Sequence, residues 1–138
     1  MAEFSDQKIA HLGLIQNVID RMAGESARMK QFGLVTIGAL GSVAEATASW
    51  PLALVAVVIT AVFWGLDANY LAQERRYRDL YDRVRASDGP ADFAMTPDAE
   101  TRARHGVAAT LLGWSNLPLY GTLLVLAVLL TVAVAAAG

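Results

Sequence analysis

The chain has 138 residues, of which 55% are apolar and 17% charged, with a net charge of -2 and no cysteine. The length suits one domain. The charged fraction falls below the ~25% usual in soluble domains, and the missing cysteines exclude a disulfide framework or a thiolate metal site. The charges are also clustered. Between residues 32 and 66 the only charged side chain is Glu45, and residues 106–138 contain no Asp, Glu, Lys or Arg. A hydrocarbon slab demands such stretches, at about 20 residues per crossing; a water-soluble core does not.

The first segment carries acids at Glu3 and Asp6 and lacks the apolar core of a secretory signal, so the first apolar stretch is expected to act as an uncleaved anchor. Residues 3–30 read as an amphipathic helix. Leu12, Ile15, Ile19 and Met22 form its apolar stripe, widened by Leu14 and Val18, with Gln16, Asn17, Asp20 and Gly24 opposite. Gly24, Ser26 and Gly33 suggest a kink before the next segment. A first crossing is expected over residues 32–49. Its small residues Gly38, Gly41 and Ser42 share a face that permits close helix approach in lipid. Ser49, Trp50 and Pro51 then make a reversal, with Ser49 as cap, Pro51 at the first helical position and Trp50 at the interface.

A second crossing spans residues 51–66 and continues without Gly or Pro to Ser87, as a cytoplasmic extension. Charge pairs at helical spacing support that extension: Glu74 with Arg78, Arg75 with Asp79, Asp79 with Arg83. A heptad seam runs along it. Phe63, Tyr70, Tyr77 and Val84 recur every seven residues, with Leu66, Gln73 and Leu80 between them and Tyr81 thickening the stripe. Such a seam packs either on the chain's own first helix or on copies of itself. Residues 87–95 form a turn. Thr96 then caps a helix expected to run to Leu112, with Pro97 at its first position. After a break at residues 113–116, a third crossing occupies residues 118–137, with Trp114 and Tyr120 at its inner interface.

The expected architecture is therefore an all-α integral membrane protein with three transmembrane helices. An amphipathic helix covers residues 1–31, a transmembrane hairpin 32–66, cytoplasmic helices and a loop 67–113, and the third transmembrane segment 114–138. All 11 basic residues then lie on one side, which places the N-terminus in the cytoplasm and the C-terminus outside. A re-entrant hairpin over residues 32–66 is the competing topology.

Several residues in two blocks carry a resemblance. The first holds His11-Leu12, Ile15-Gln16, Ile19, Arg21-Met22-Ala23 and Lys30. The second holds Phe63-Trp64, Leu66-Asp67-Ala68, Tyr70-Leu71, Gln73-Glu74-Arg75, Tyr77-Arg78, Leu80-Tyr81-Asp82 and Val84-Arg85. Together they resemble an uncharacterised family of small bacterial multi-pass membrane proteins. In layout the chain is more distantly similar to RipA-like octameric membrane proteins and to two-span effectors of nucleotide-signalled phage defence. The resemblance implies a homo-oligomer in the bacterial inner membrane, with a pore as the expected activity. The chain departs from the family pattern at Glu25, where the family has Asn.

No catalytic motif stands out. His11 and His105 lack metal-ligand spacing, and neither a phosphate loop nor a nucleophile elbow is present, so no enzyme activity and no cofactor are expected. The arginines of residues 75–85 alternate with acids, which argues against a nucleic-acid partner. Anionic lipid headgroups or a cytoplasmic protein are the expected partners besides the bilayer and further copies of the chain. Glu45 is the leading candidate for an ion site, because a carboxylate within a span is costly and it shares the face of Ser42. A ring of such carboxylates in an oligomer favours cations. Asp67 is the second candidate acid, with Arg21, Arg28 or Arg75 as expected ion-pair partners. A non-conducting scaffold that displays its cytoplasmic helices to a partner protein is the alternative function.

Overall fold

The computed structural model describes residues 5–138. It is all helical: α1 (Asp6–Ala46), α2 (Trp50–Ala86), α3 (Ala99–Arg104), α4 (Val107–Leu111) and α5 (Leu117–Ala137). α1 and α2 form a long antiparallel hairpin. At 1.5 Å per residue their 41 and 37 residues give rods of roughly 60 and 55 Å. α2 is the central element and packs against each of the other four helices.

α1 begins where Ser5 accepts a hydrogen bond from the Lys8 backbone N–H, and it runs unbroken to Ala46. The helix assignment is continuous through Gly24, Ser26 and Gly33, where a kink was expected. Ser26 and Gly33 instead belong to the buried stripe Lys8, His11, Ile15, Ile19, Ser26, Gly33, Ile37 and Ala44, which follows the α2 side of the helix. Gly33 is where the Phe63 ring lies closest, and a methyl there would touch it at an ordinary 3.6 Å. Residues 3 and 4 of the predicted helix lie outside the described residues.

The hairpin closes through residues 47–49. Ala48 takes a left-handed φ of 49°, and the Thr47 and Ser49 backbone N–H groups return to Val43 and Ala44. Ser49 occupies the cap position of α2 but makes no side-chain cap bond, so Pro51 carries the helix start.

The far end of the α2 heptad seam packs on this chain's own first helix. Leu80 is buried against Ile15 and Ile19, with Tyr77, Tyr81, Val84 and Met95 around them. Leu66 remains exposed. The turn after α2 leads to a helix start two residues later than expected. Asp98, and not Thr96, is the cap, accepting from the Thr101 backbone N–H at 2.7 Å. The helix expected to reach Leu112 is divided at His105-Gly106 into α3 and α4. A side-chain bond explains the break: the Arg76 guanidinium donates to the His105 carbonyl at 2.9 Å, taking that carbonyl out of helical use. Glu74 pairs with Arg78 as expected. Asp79, however, turns away from Arg75 and Arg83 to Arg104 at 3.3 Å and His105 at 2.8 Å.

Two helices, α2 and α5, are long and apolar enough to cross a membrane. α1 is not one of them by itself, because only its second half is apolar. α5 is packed lightly. Val125, Leu126, Val128, Leu129 and Val132 are exposed on it, while Tyr120, Ala127 and Val134 face inward.

Candidate functional site

α1, α2 and α5 meet at Asp67. The carboxylate is fully buried, and both of its oxygens are used. Lys30 donates to Oδ2 at 2.5 Å, and the Ser26 hydroxyl donates to Oδ1. Lys30 also reaches the Ser26 oxygen at 3.1 Å, since the two residues are one helical turn apart. The anion is thus held by a charge-assisted bond and a second donor from the facing helix. Arg21, Arg28 and Arg75 do not take this role. Arg28 pairs with Glu25, and Arg21 and Arg75 have no ion-pair partner among the described residues.

α5 completes the surround. Tyr120 stacks on Trp64, with ring centroids 6.3 Å apart and planes 9° off parallel. Its hydroxyl is buried and faces Asp67 without closing a hydrogen bond to it. Asn116, at the start of α5, is also fully buried, and among the described residues neither its amide nitrogen nor its amide oxygen has a hydrogen-bond partner. Trp64 donates through its indole N–H to the Leu111 carbonyl at 3.0 Å, tying the end of α4 to α2 at this level.

Ser26 and Lys30 sit at the spacing of a nucleophile and its base, but the carboxylate alters their roles. The Lys30 amine and the Ser26 hydroxyl both donate to the Asp67 carboxylate. The arrangement is a lock between helices. Ser26 is also buried, away from any substrate.

Glu45 and Ser42 lie elsewhere, near the far end of α1, and both are exposed. With Gly38 and Gly41 they line a groove of about 420 Å³ between α1 and α5, floored by Ala56 and walled by Leu123, Leu126, Ala127 and Leu130. Gly41 is the tight point, where a methyl would come within 3.3 Å of Leu130. Ser42 donates back to the Gly38 carbonyl at 2.9 Å. Asp67 is not in this groove, so the three candidate ion-site residues divide into an inner lock and an outer strip.

Lys30, Ser26, Tyr120 and Asn116 were not marked as site residues by sequence reasoning, although a signal for Lys30 exists. Lys30 lies 18 residues before Ala48 and Asp67 lies 19 after it, so an antiparallel hairpin turning at Ala48 brings them level.

A second polar cluster holds the α2–α3 loop. Lys8 donates to the Ser87 carbonyl, and the buried His11 contacts the Ala94 carbonyl through Nε2 at 3.0 Å. The His11 ring packs on Phe93, whose φ of 52° is left-handed. Nearby, the Thr101 backbone N–H, with further help from the Thr101 hydroxyl and Arg83, holds the Asp98 carboxyl down at about 2. Among the described residues no group of three or more His, Cys, Asp or Glu side chains is placed to hold a metal ion. Comparison with family models, curated proteins and solved structures yields no match to this chain.

Proposed function

We propose that the chain is a three-span, homo-oligomeric protein of the bacterial inner membrane whose assembled copies form a cation-conducting pore. The observation that carries this reading is the uncovered strip of α1. Gly38, Ser42 and Glu45 are exposed beside α5, in the part of the molecule otherwise clad in exposed Val and Leu. A hydroxyl and a carboxylate facing lipid are costly, whereas facing an aqueous lumen they are solvated and select cations. The antiparallel hairpin supports three spans. If residues 50–67 of α2 cross the bilayer, residues 30–46 of α1 lie beside them and cross too. All 11 basic residues then share the cytoplasmic side with the N-terminus. The layout's similarity to RipA-like octameric proteins supports the same assembly.

The test is ion flux across liposomes reconstituted with the purified chain. A cation-selective flux is expected, and Glu45→Gln lowers its selectivity over anions. Flux that is absent at every protein density, or unchanged by Glu45→Gln, rejects the pore.

The scaffold reading has one observation of its own. A recess lined by Ile9, Leu12, Gly13, Gln16, Tyr81 and Arg85 opens on the cytoplasmic hairpin, and Ile9 is exposed at its edge. If deletion of residues 68–106 leaves every co-purifying protein bound, the scaffold reading fails.

A further inference from the structure

Arg75 lies on α2 two turns beyond Asp67, about 12 Å further from the apolar segment at 1.5 Å per residue. It is half-buried, and no hydrogen bond or ion pair engages it among the described residues. Its nearest acids along the helix are occupied, Glu74 by Arg78 and Asp79 by Arg104 and His105. The guanidinium instead reaches the α4–α5 turn, where its Nη2 would lie 3.7 Å from a methyl placed on Gly113. That turn is fixed at the membrane boundary by the Trp64 bond to Leu111. It presents Leu112 and Trp114 outward, the latter 92% exposed.

An unpaired, partly desolvated cation is unfavourable unless an anion joins it. The neighbouring groups define which anion. Leu112 and Trp114 provide an apolar shelf and an amphipathic ring of the kind that settles among headgroups, a layer roughly 5–8 Å thick on each side of the hydrocarbon. Arg75 presents a planar fork suited to two phosphate oxygens. A side chain at Gly113 would press on the turn's own backbone, since the site for its methyl lies 3.1 Å from the Thr110 carbonyl, while its 3.7 Å from the Arg75 fork is ordinary contact.

We propose that Arg75, with the turn formed by Gly113 and Trp114, binds the phosphodiester of an anionic phospholipid in the cytoplasmic leaflet. The site rests on the membrane reading above and needs neither Glu45 nor a pore. It ties the α4–α5 turn to the lipid about two helical turns of α2 beyond the Asp67 lock.

The test uses the full chain reconstituted in vesicles of equimolar phosphatidylglycerol and phosphatidylcholine. The protein is extracted in mild detergent, and the lipids that remain on it are counted by native mass spectrometry. Phosphatidylglycerol is retained in excess, and Arg75→Gln cuts that excess roughly five-fold, the worth of one arginine at an anionic surface. Arg21→Gln, which removes an exposed and equally unpartnered arginine of the facing helix α1, leaves it unchanged. Equal retention by Arg75→Gln and the unaltered chain overturns the proposal, as does an equal loss in Arg21→Gln. Inorganic phosphate added to the delipidated protein is the remaining arm. If it binds with Arg75 dependence and phosphatidylglycerol does not displace it, the site takes free phosphate and the lipid assignment is wrong. Flotation of the vesicles separates the two claims, because a chain that fails to float with them contradicts the membrane reading itself.

Discussion

Removing the Lys30 amine takes the ion-pair partner from the buried Asp67 carboxylate, leaving it the Ser26 hydroxyl bond and the Tyr120 hydroxyl that faces it. Lys30→Met is therefore expected to cost about 3–5 kcal/mol, while Lys30→Met combined with Asp67→Leu recovers most of that loss, as apolar replacement of a whole buried pair commonly does. Thermal unfolding in one detergent checks both. If the double variant is no more stable than the single one, Asp67 is not an isolated ionised pair. Ala48 makes a smaller claim. Its left-handed φ of 49° is strained for a residue bearing a Cβ, so Ala48→Gly is expected to raise stability by up to about 1 kcal/mol in the same assay. At this scale the sequence was only half legible. A buried acid at the end of an apolar run marks Asp67 plainly. Its partner follows only from the hairpin's turning point, which three near-equivalent candidates at residues 47–49 leave open by a residue or two.

Among the elements, the α1–α2 stalk depends on the Leu80 cluster. Leu80→Ala removes the side chain packed against both Ile15 and Ile19 and is expected to cost about 2–5 kcal/mol. Hydrogen exchange should quicken over residues 8–22 and 73–86 and leave the α2–α5 contact protected. Uniform loss of protection would mean that stalk and apolar bundle are one cooperative unit. α3 carries a pH dependence. Folding lowers the Asp98 carboxyl from 3.8 to about 2, so the ionised form favours the folded state. The cap's contribution is whole above pH 4 and disappears as the pH falls toward 2. Amide exchange of Thr101 should rise across that window, whereas Asp98→Ala should show fast exchange at every pH. The long helices were legible because their apolar periods extend over many turns. The division of α3 from α4 was not, because a single Arg76 bond from another element to the His105 carbonyl decides it. The seven-residue repeat of α2 is the same whether its partner is α1 or a second copy, so its period alone did not identify the partner.

At the scale of the whole molecule, the account joins an apolar bundle of α1, α2 and α5 to a charged stalk through the Asp67–Lys30 lock. This much was visible in composition: basic residues stop at Lys30 on α1, resume at Arg75 on α2 and end at Arg104, leaving the apolar segments without them. The groove holding Ser42 and Glu45 has no counterpart in composition, because its exposure depends on where α5 lies against α1. The most direct measurement is topology, and the absence of native cysteine makes it clean. Single cysteines placed by Arg21→Cys, Thr47→Cys, Asp88→Cys and Ala136→Cys are challenged with a membrane-impermeant maleimide in intact cells. The account predicts labelling at 47 and 136 from outside, and at 21 and 88 only after the membrane is permeabilised. Protection of position 47 together with 21 and 88 would mean that the hairpin re-enters without crossing, and it would contradict the three-span reading on which the pore rests.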